Sequence, residues 1–148
     1  MNETLYQLWL EARTRFFNQL QNMSATDLKK KLGNSPNSVG FLIRHIADVE
    51  LLFAKNVFGV SDVKVSAKTV IDKQDTGEWT DLQSLLDYQK YAFETLASAI
   101  KVQIDWEETV TTKEFGTKTK AEALGRIVSH TAYHAGQLAI VLKYGQIA

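Results

Sequence analysis

The sequence predicts an all-α protein, a single domain over residues 1–148 that is built as a four-helix bundle. Apolar residues recur with the helical period of 3.6 residues in four long stretches. The connections between these stretches contain the single proline and four of the eight glycines. A chain of this length buries about two-thirds of its unfolded surface, which suffices for a core without cross-links. The predicted helices span residues 4–21, 37–58, 80–101 and 119–144.

The first predicted helix has an apolar stripe that extends over about five turns. The stripe consists of Leu5, Trp9, Ala12, Phe16 and Leu20. The connection that follows, residues 22–36, begins with Ser24 and Asp27, a pattern typical of the cap of a short helix. We expect this short helix to end near Leu32 and Gly33.

The second predicted helix runs from about Asn37 to Phe58 and ends at Gly59. Pro36 is placed to start it, and Asn34, Ser35 and Asn37 are the candidate caps. Its inward stripe is predicted to contain His45 together with Leu42, Ile46, Val49, Leu52, Phe53 and Val57.

Two connections are long enough to have roles of their own. Residues 60–79 lack a helical period, and their length could carry the chain from one end of the bundle to the other. Thr80 and Gln83 have the spacing of a capping box for the third helix. Residues 102–118 are rich in threonine with weak alternation, which predicts an irregular or hairpin-like flap.

The last predicted helix, residues 119–144, carries two histidines on one face. Thr119 and Glu122 form a capping box, Lys143 suits the negative end of the helix dipole, and Gly145 is placed as a left-handed C-terminal cap. His130 and His134 are four residues apart and therefore project from the same side, one turn apart. The stripe of Leu124, Ile127, Thr131, His134, Leu138 and Val141 faces the core, and His130 borders it.

All three histidines of the chain, His45, His130 and His134, are therefore predicted to face inward. One interpretation is that each is a core histidine with its own hydrogen-bond partner. We favour a divalent metal ion that joins them, because several imidazoles in one core would repel or pay for desolvation. Zinc and nickel are the preferred candidates, although imidazole also suits copper and iron.

Three protein ligands favour an open site over a structural one, since structural zinc normally has four. Thr131 stands where an H-E-x-x-H metalloprotease has its glutamate, so that mechanism has no support. Asp48 and Gln137 could orient the ring N–H groups of the histidines. For Asp48, an ordinary polar position at the helix surface is slightly preferred.

Composition narrows the functional classes. The chain has no cysteine, which excludes disulfides and thiolate ligands, and its formal net charge is zero. Lys29, Lys30 and Lys31 are interpreted as a solvated helix face, so no nucleic-acid partner is expected. We see no signal peptide and no apolar run of about 18 residues, so a cytoplasmic protein with no membrane partner is expected.

The segment N-S-V-G-F-L-I-R-H-I-A-D-V-E (37–50), with H-T-A-Y-H-A-G-Q-L (130–138) far downstream, resembles the DinB/YfiT-like metalloprotein superfamily. The resemblance implies an up-down-down-up bundle with a long crossover between helices 2 and 3, and frequent homodimers. It implies metal ligation by His45, His130 and His134. Enzymes of this superfamily include thiol-dependent S-transferases, such as bacillithiol transferases, and a mycothiol-dependent maleylpyruvate isomerase.

The leading hypothesis is a metal-dependent enzyme, S-transferase-like or hydrolase-like, that acts on a small electrophilic molecule. A low-molecular-weight thiol or water would occupy the open coordination position, with loops 60–79 and 102–118 shaping the pocket. The alternative is a non-catalytic bundle that the ion stabilises by joining two helices, with a stress-related or partner-binding role.

Overall fold

A computed structural model describes residues 1–147 and shows a mostly helical chain with short strands. The five α-helices are α1 (Asn2–Gln21), α2 (Val39–Asn56), α3 (Lys68–Ile71), α4 (Leu82–Lys101) and α5 (Lys120–Tyr144). A 3-10 helix (Ala25–Lys29) follows α1. The strands are β1 (Lys30–Lys31), β2 (Thr109–Thr112), β3 (Gly116–Thr119) and β4 (Gln146–Ile147).

The four long helices lie where the apolar periodicity predicts them, with ends that differ by a few residues. The predicted short helix is a 3-10 turn that ends at Lys29, before the expected boundary, because the next residues form β1. The prediction of no helix in 60–79 was wrong for α3, whose four residues are too few to show a period. The up-down-down-up order and the single-domain assignment stay predictions.

Two helix caps differ from the predicted ones. The Ser38 hydroxyl accepts a hydrogen bond from the Phe41 amide and starts α2, so the earlier candidates Asn34, Ser35 and Asn37 do not cap it. Asp81, rather than Thr80, caps α4 by accepting from the Ser84 amide. In both cases the true cap lies one residue beyond a candidate, a shift that sequence cannot resolve when neighbouring polar residues compete.

The core surrounds α2, which is buried on nearly every side. α4 and α5 both pack against it, and α1 packs against α4 and α5. Two clusters of buried residues form the core, one around Trp9, Leu51 and Leu96 and the other around Phe16, Ile43 and Leu138. A helix covered on several sides can hold charged residues only in pairs.

One such pair joins α1 to α2. The Arg13 guanidinium donates to both carboxylate oxygens of Glu50 at 2.8 Å, and the Glu50 side chain is fully buried. Arg13 also lies over the ring of Phe93, 4.8 Å from its centroid. The bidentate geometry and the aromatic cover offset the cost of removing both charges from water.

The crossover between α2 and α4, residues 57–81, lies against the start of α2. The Trp79 carbonyl comes so close to Gly40 that an added Cβ would overlap it. The Asp75 carboxylate accepts a hydrogen bond from the Ser38 amide. Gly40 is therefore the residue that lets the crossover dock, and this docking fixes where α3 lies.

The predicted flap is a β-hairpin. β2 and β3 pair antiparallel, with Thr109 opposite Thr119 and Thr112 opposite Gly116. Gly116 has a φ of +74°, which a residue with a side chain adopts at a cost. The hairpin ends at Thr119, whose capping box with Glu122 starts α5 as predicted.

Gly145 does end α5, but not as a left-handed cap. Its φ is −72°, and the next residues form β4, which pairs antiparallel with β1. An added Cβ would approach the carbonyl oxygens of Val141 and Lys31. The glycine is thus needed for close backbone contact rather than for a positive φ. Among residues 1–147, no helix is long and apolar enough to cross a membrane.

Candidate metal centre

The three histidines lie together between α2 and α5. His45 is on α2, and His130 and His134 are on α5, with ring centroids 4.9, 4.8 and 4.4 Å apart. All three side chains are partly buried. The inward orientation predicted from the helical stripes is therefore confirmed, and packing of α5 against α2 brings the rings to a common point.

The separations of the ring nitrogens suit a shared ion after a small adjustment. The Nε2 atoms of His45 and His130 are 3.1 Å apart. One nitrogen from each ring lies within 4.8 Å of the other two. Bonds of about 2.0–2.1 Å to one zinc ion allow separations up to about 4.2 Å, so the outermost pair must close by less than about 1 Å. Rotation of a partly exposed imidazole can supply that movement.

A hydrogen-bond chain orients His45. The hydroxyl of Thr69 in α3 donates to Asp48 Oδ2 at 2.6 Å, and His45 Nδ1 lies 3.1 Å from the same hydroxyl oxygen. Because a carboxylate only accepts, the hydroxyl proton points to Asp48, and the hydroxyl oxygen accepts from the Nδ1–H of His45. The Nε2 of His45 then carries the free lone pair that a metal needs.

Asp48 is the buried centre of this chain. Its Oδ1 accepts from Arg44 Nε at 2.9 Å and from the Tyr88 hydroxyl at 2.6 Å, while Oδ2 also accepts from the Thr69 amide. Burial, and then the hydrogen bond to the Asp48 carboxylate, raise the pKa of Tyr88. Every one of these bonds holds the carboxylate in place, which in turn fixes Thr69 against His45.

Of the residues that support His45, only Asp48 could be named as a candidate from the sequence. Asp48 acts on His45 through Thr69, and its side chain is fully buried, so the slight preference for a surface position was wrong. Nothing in the sequence indicated Thr69 or Tyr88, since they lie in the crossover and on α4. Only docking of the crossover onto α2 brings Thr69 to the site.

Gln137 orients the second histidine, as predicted. Its side-chain Oε1 lies 2.7 Å from His134 Nδ1 and accepts the ring proton. The two residues are three apart on α5, so the contact follows from helix geometry alone. It leaves the Nε2 of His134 unprotonated and free to bind a metal.

His130 is the least constrained of the three. Its Nδ1 is buried and has no hydrogen-bond partner within residues 1–147. Its Nε2 is 3.1 Å from His45 Nε2, which has no proton, so the His130 Nε2–H must be the donor in this contact. Metal binding at Nε2 would require that single ring proton to move to Nδ1.

The protonation states also favour a metal. Burial, and then the charge of His134, lower the pKa of His45 to about 4, and burial lowers the pKa of His130 to about 3. Burial also lowers the pKa of His134. All three imidazoles are therefore neutral at pH 7, the form that binds a metal. The residues present fit a divalent ion, whose identity they do not fix.

The sequence model of the DinB superfamily matches residues 8–138, a span that contains all three histidines and their supporting residues. The chain belongs to the DinB superfamily. Neither curated proteins nor solved structures give a significant match. The resemblance inferred from the motifs is thereby confirmed, while the metal ligation that it implies stays a prediction.

In this DinB-superfamily chain, open space lies beside His130. A cavity of about 340 Å³ between α2 and α5 is lined by His130, Tyr133 and Arg126, and by Glu114 at the tip of the hairpin. A second cavity of about 460 Å³ shares Glu114 and Phe53 with the first and continues along the hairpin. The 102–118 segment thus borders the space next to the site. The 60–79 crossover lines neither cavity and acts through Thr69 instead.

Proposed function

We propose that His45, His130 and His134 bind one divalent metal ion and that the chain is a metal-dependent enzyme. The observation that carries this proposal is the convergence of three neutral imidazoles, two of which have Nδ1 engaged by another side chain. Zinc and nickel are the ions we favour.

An ion held by three imidazoles would leave a coordination position at which the pKa of a thiol or of water is lowered. The chain's own residues prepare that position. Thr69 and Gln137 keep two rings in the ligating tautomer. The cavity beside His130 would let a small molecule reach that histidine.

The reaction we propose is attack by a low-molecular-weight thiol, or by water, on a small electrophilic molecule. In the thiol reaction the sulfur loses its proton to solvent and forms a bond to the electrophilic carbon. The leaving group departs with its electron pair, so no oxidant or reductant is consumed. S-transferase-like and hydrolase-like chemistry therefore differ only in the nucleophile.

Metal content tests the first half of the proposal. Purified protein should bind about one equivalent of Zn²⁺ or Ni²⁺, measured by elemental analysis and by competition with a chromophoric chelator. Replacing His45, His130 or His134 by alanine should each remove most of the affinity. Lys30→Ala, a change in β1 outside the histidine cluster, should leave it unchanged. Retention of stoichiometric metal by the triple histidine variant would refute the ligand assignment.

Turnover distinguishes the enzyme from a non-catalytic bundle that an ion merely stabilises. The second function has its own support, because a shared ion would join α2 to α5 and raise the melting temperature. Metal-loaded protein should accelerate transfer of a small thiol to an aryl halide such as 1-chloro-2,4-dinitrobenzene, with loss of chloride. A metal-dependent rise in melting temperature without acceleration, across several thiols and electrophiles, would favour the stabilised bundle.

A further inference from the structure

We propose that Arg126 binds the carboxylate of an acidic small thiol whose sulfur reaches the metal centre. This inference rests on the proposed function, since it names the class of thiol that the same site would take. It adds a residue that neither the histidine motif nor the family match assigns. Three features single out Arg126: its position, its lack of a charged partner and the charge around it.

Arg126 lies one helical turn from His130, on the same face of α5. Arg126 and His130 are four residues apart on α5, so their Cβ atoms are about 5–6 Å apart on the same face. Both side chains line the cavity of about 340 Å³ beside the site. A small molecule in this cavity can thus contact the guanidinium at one end and His130, one of the three candidate ligands, at the other.

Arg126 has no competing partner. Within residues 1–147 its guanidinium makes no hydrogen bond and no ion pair, unlike Arg13 and Arg44, which each bind a carboxylate. The Phe115 ring of the hairpin lies under it, 5.6 Å from Cζ to the ring centroid. A cation–π contact at this distance holds the group near the cavity while leaving all its N–H donors available.

Charge favours an anion over a cation in this cavity. Glu114 also lines it and would attract an ammonium group, and both side chains are exposed. Glu114 lies on the hairpin turn, whereas Arg126 projects from a long helix and is held over the Phe115 ring. The three candidate ligands are imidazoles rather than carboxylates, so a bound divalent ion would bring two positive charges that its ligands do not neutralise. A planar guanidinium also matches a carboxylate through two parallel hydrogen bonds.

Three thiols that differ mainly in the charged end test the proposal: 3-mercaptopropionate, 2-mercaptoethanol and cysteamine. Protein loaded with Co²⁺ reports sulfur binding through its absorption spectrum. 3-Mercaptopropionate should bind about tenfold more tightly than 2-mercaptoethanol, the gain typical of a hydrogen bond to a charged group. Arg126→Gln should remove this preference and leave 2-mercaptoethanol binding unchanged. Arg15→Gln, an exposed arginine on α1, is the matched control and should bind like the parent.

A second measurement does not depend on the metal. Metal-free protein titrated with 3-(methylthio)propionate should show amide chemical-shift changes at Arg126, Ser129 and His130, which Arg126→Gln should abolish. If Co²⁺ fails to bind but these changes occur, the proposed metal function fails and the carboxylate site stands. If cysteamine binds best and Glu114→Gln removes that binding, or if Arg126→Gln alters neither measurement, the proposal is overturned.

Discussion

Replacing Thr69 by valine removes the hydroxyl between His45 and Asp48 and keeps the shape of the side chain. In Thr69→Val, the Nδ1–H of His45 loses its acceptor and the ring is free to change tautomer or rotate. Asp48 keeps its bonds from Arg44, Tyr88 and the residue-69 amide, so the carboxylate itself stays in place. The substitution therefore separates the orientation of His45 from the general integrity of the buried cluster.

The magnitude follows from the kind of bond that is lost. Removing a group that orients a metal-binding histidine costs about 10- to 100-fold in metal affinity, which corresponds to about 1.4 to 2.7 kcal/mol. The loss of one hydrogen bond to a charged acceptor should also lower the free energy of unfolding of the metal-free protein by about 1.5–3 kcal/mol. The second value is an upper range, because Asp48 retains three donors.

The assay is competition between the protein and a chromophoric chelator for Zn²⁺ at pH 7, with ¹⁵N NMR of the imidazoles of the metal-free protein. Thr69→Ser retains the hydroxyl and is the matched control, and it should keep the affinity to within about threefold. The NMR spectrum should show a protonated Nδ1 on His45 in the parent and in Thr69→Ser. Wild-type affinity in Thr69→Val, or a His45 ring protonated on Nε2 in the parent, would refute the reasoning.

Three further predictions concern stability, each measured as the free energy of unfolding in urea. Arg13→Met leaves the buried Glu50 carboxylate unpaired and should cost about 3–5 kcal/mol. The double variant Arg13→Met with Glu50→Leu should recover much of that stability. An unchanged stability in the single variant would contradict the role of the ion pair. Gly40→Ala drives a methyl group into the docked crossover and should cost about 1–3 kcal/mol or more. At the control position Gly125, nothing lies within 4 Å of the added carbon, so Gly125→Ala should be neutral or stabilising by up to about 1 kcal/mol. Equal effects of the two substitutions would show that the crossover is not docked over Gly40. Folding lowers the pKa values of the site histidines, that of His130 to about 3, so the unfolded chain takes up protons first as the pH falls. Metal-free protein should therefore lose stability from about pH 6.5 downwards, less steeply in His130→Gln, and a stability that stayed constant between pH 7 and pH 5 would argue against buried neutral imidazoles.

Several features of the site are local and could be predicted from the sequence. The i,i+4 spacing of His130 and His134 and the i,i+3 contact of Gln137 follow from helix geometry once the periodicity identifies the helix. The capping box of Thr119 and Glu122 depends on residues three apart and was equally predictable. The inward direction of His45 required only the apolar stripe of its own helix.

Other features depend on how distant segments dock. Asp48 was a candidate to orient a histidine, but an ordinary surface position was slightly preferred. The sequence could not show its burial, because the burial comes from α3 and α4 rather than from its own helix. The helix caps at Ser38 and Asp81 were each missed by one residue, since neighbouring polar residues offer similar local bonds and tertiary contacts select among them.

The sequence by itself determined the four long helices and which faces of the second and the last of them carry the histidines, because these depend on neighbours a few residues apart. Only the tertiary structure decided that Thr69 meets His45 and that the hairpin tip lies beside Arg126. Thr69 and His45 are 24 residues apart in the sequence, and Glu114 at the hairpin tip and Arg126 are 12 residues apart. The geometry of these contacts is set by the docking of the crossover over Gly40 and by the packing of the hairpin against α5, which no local pattern encodes.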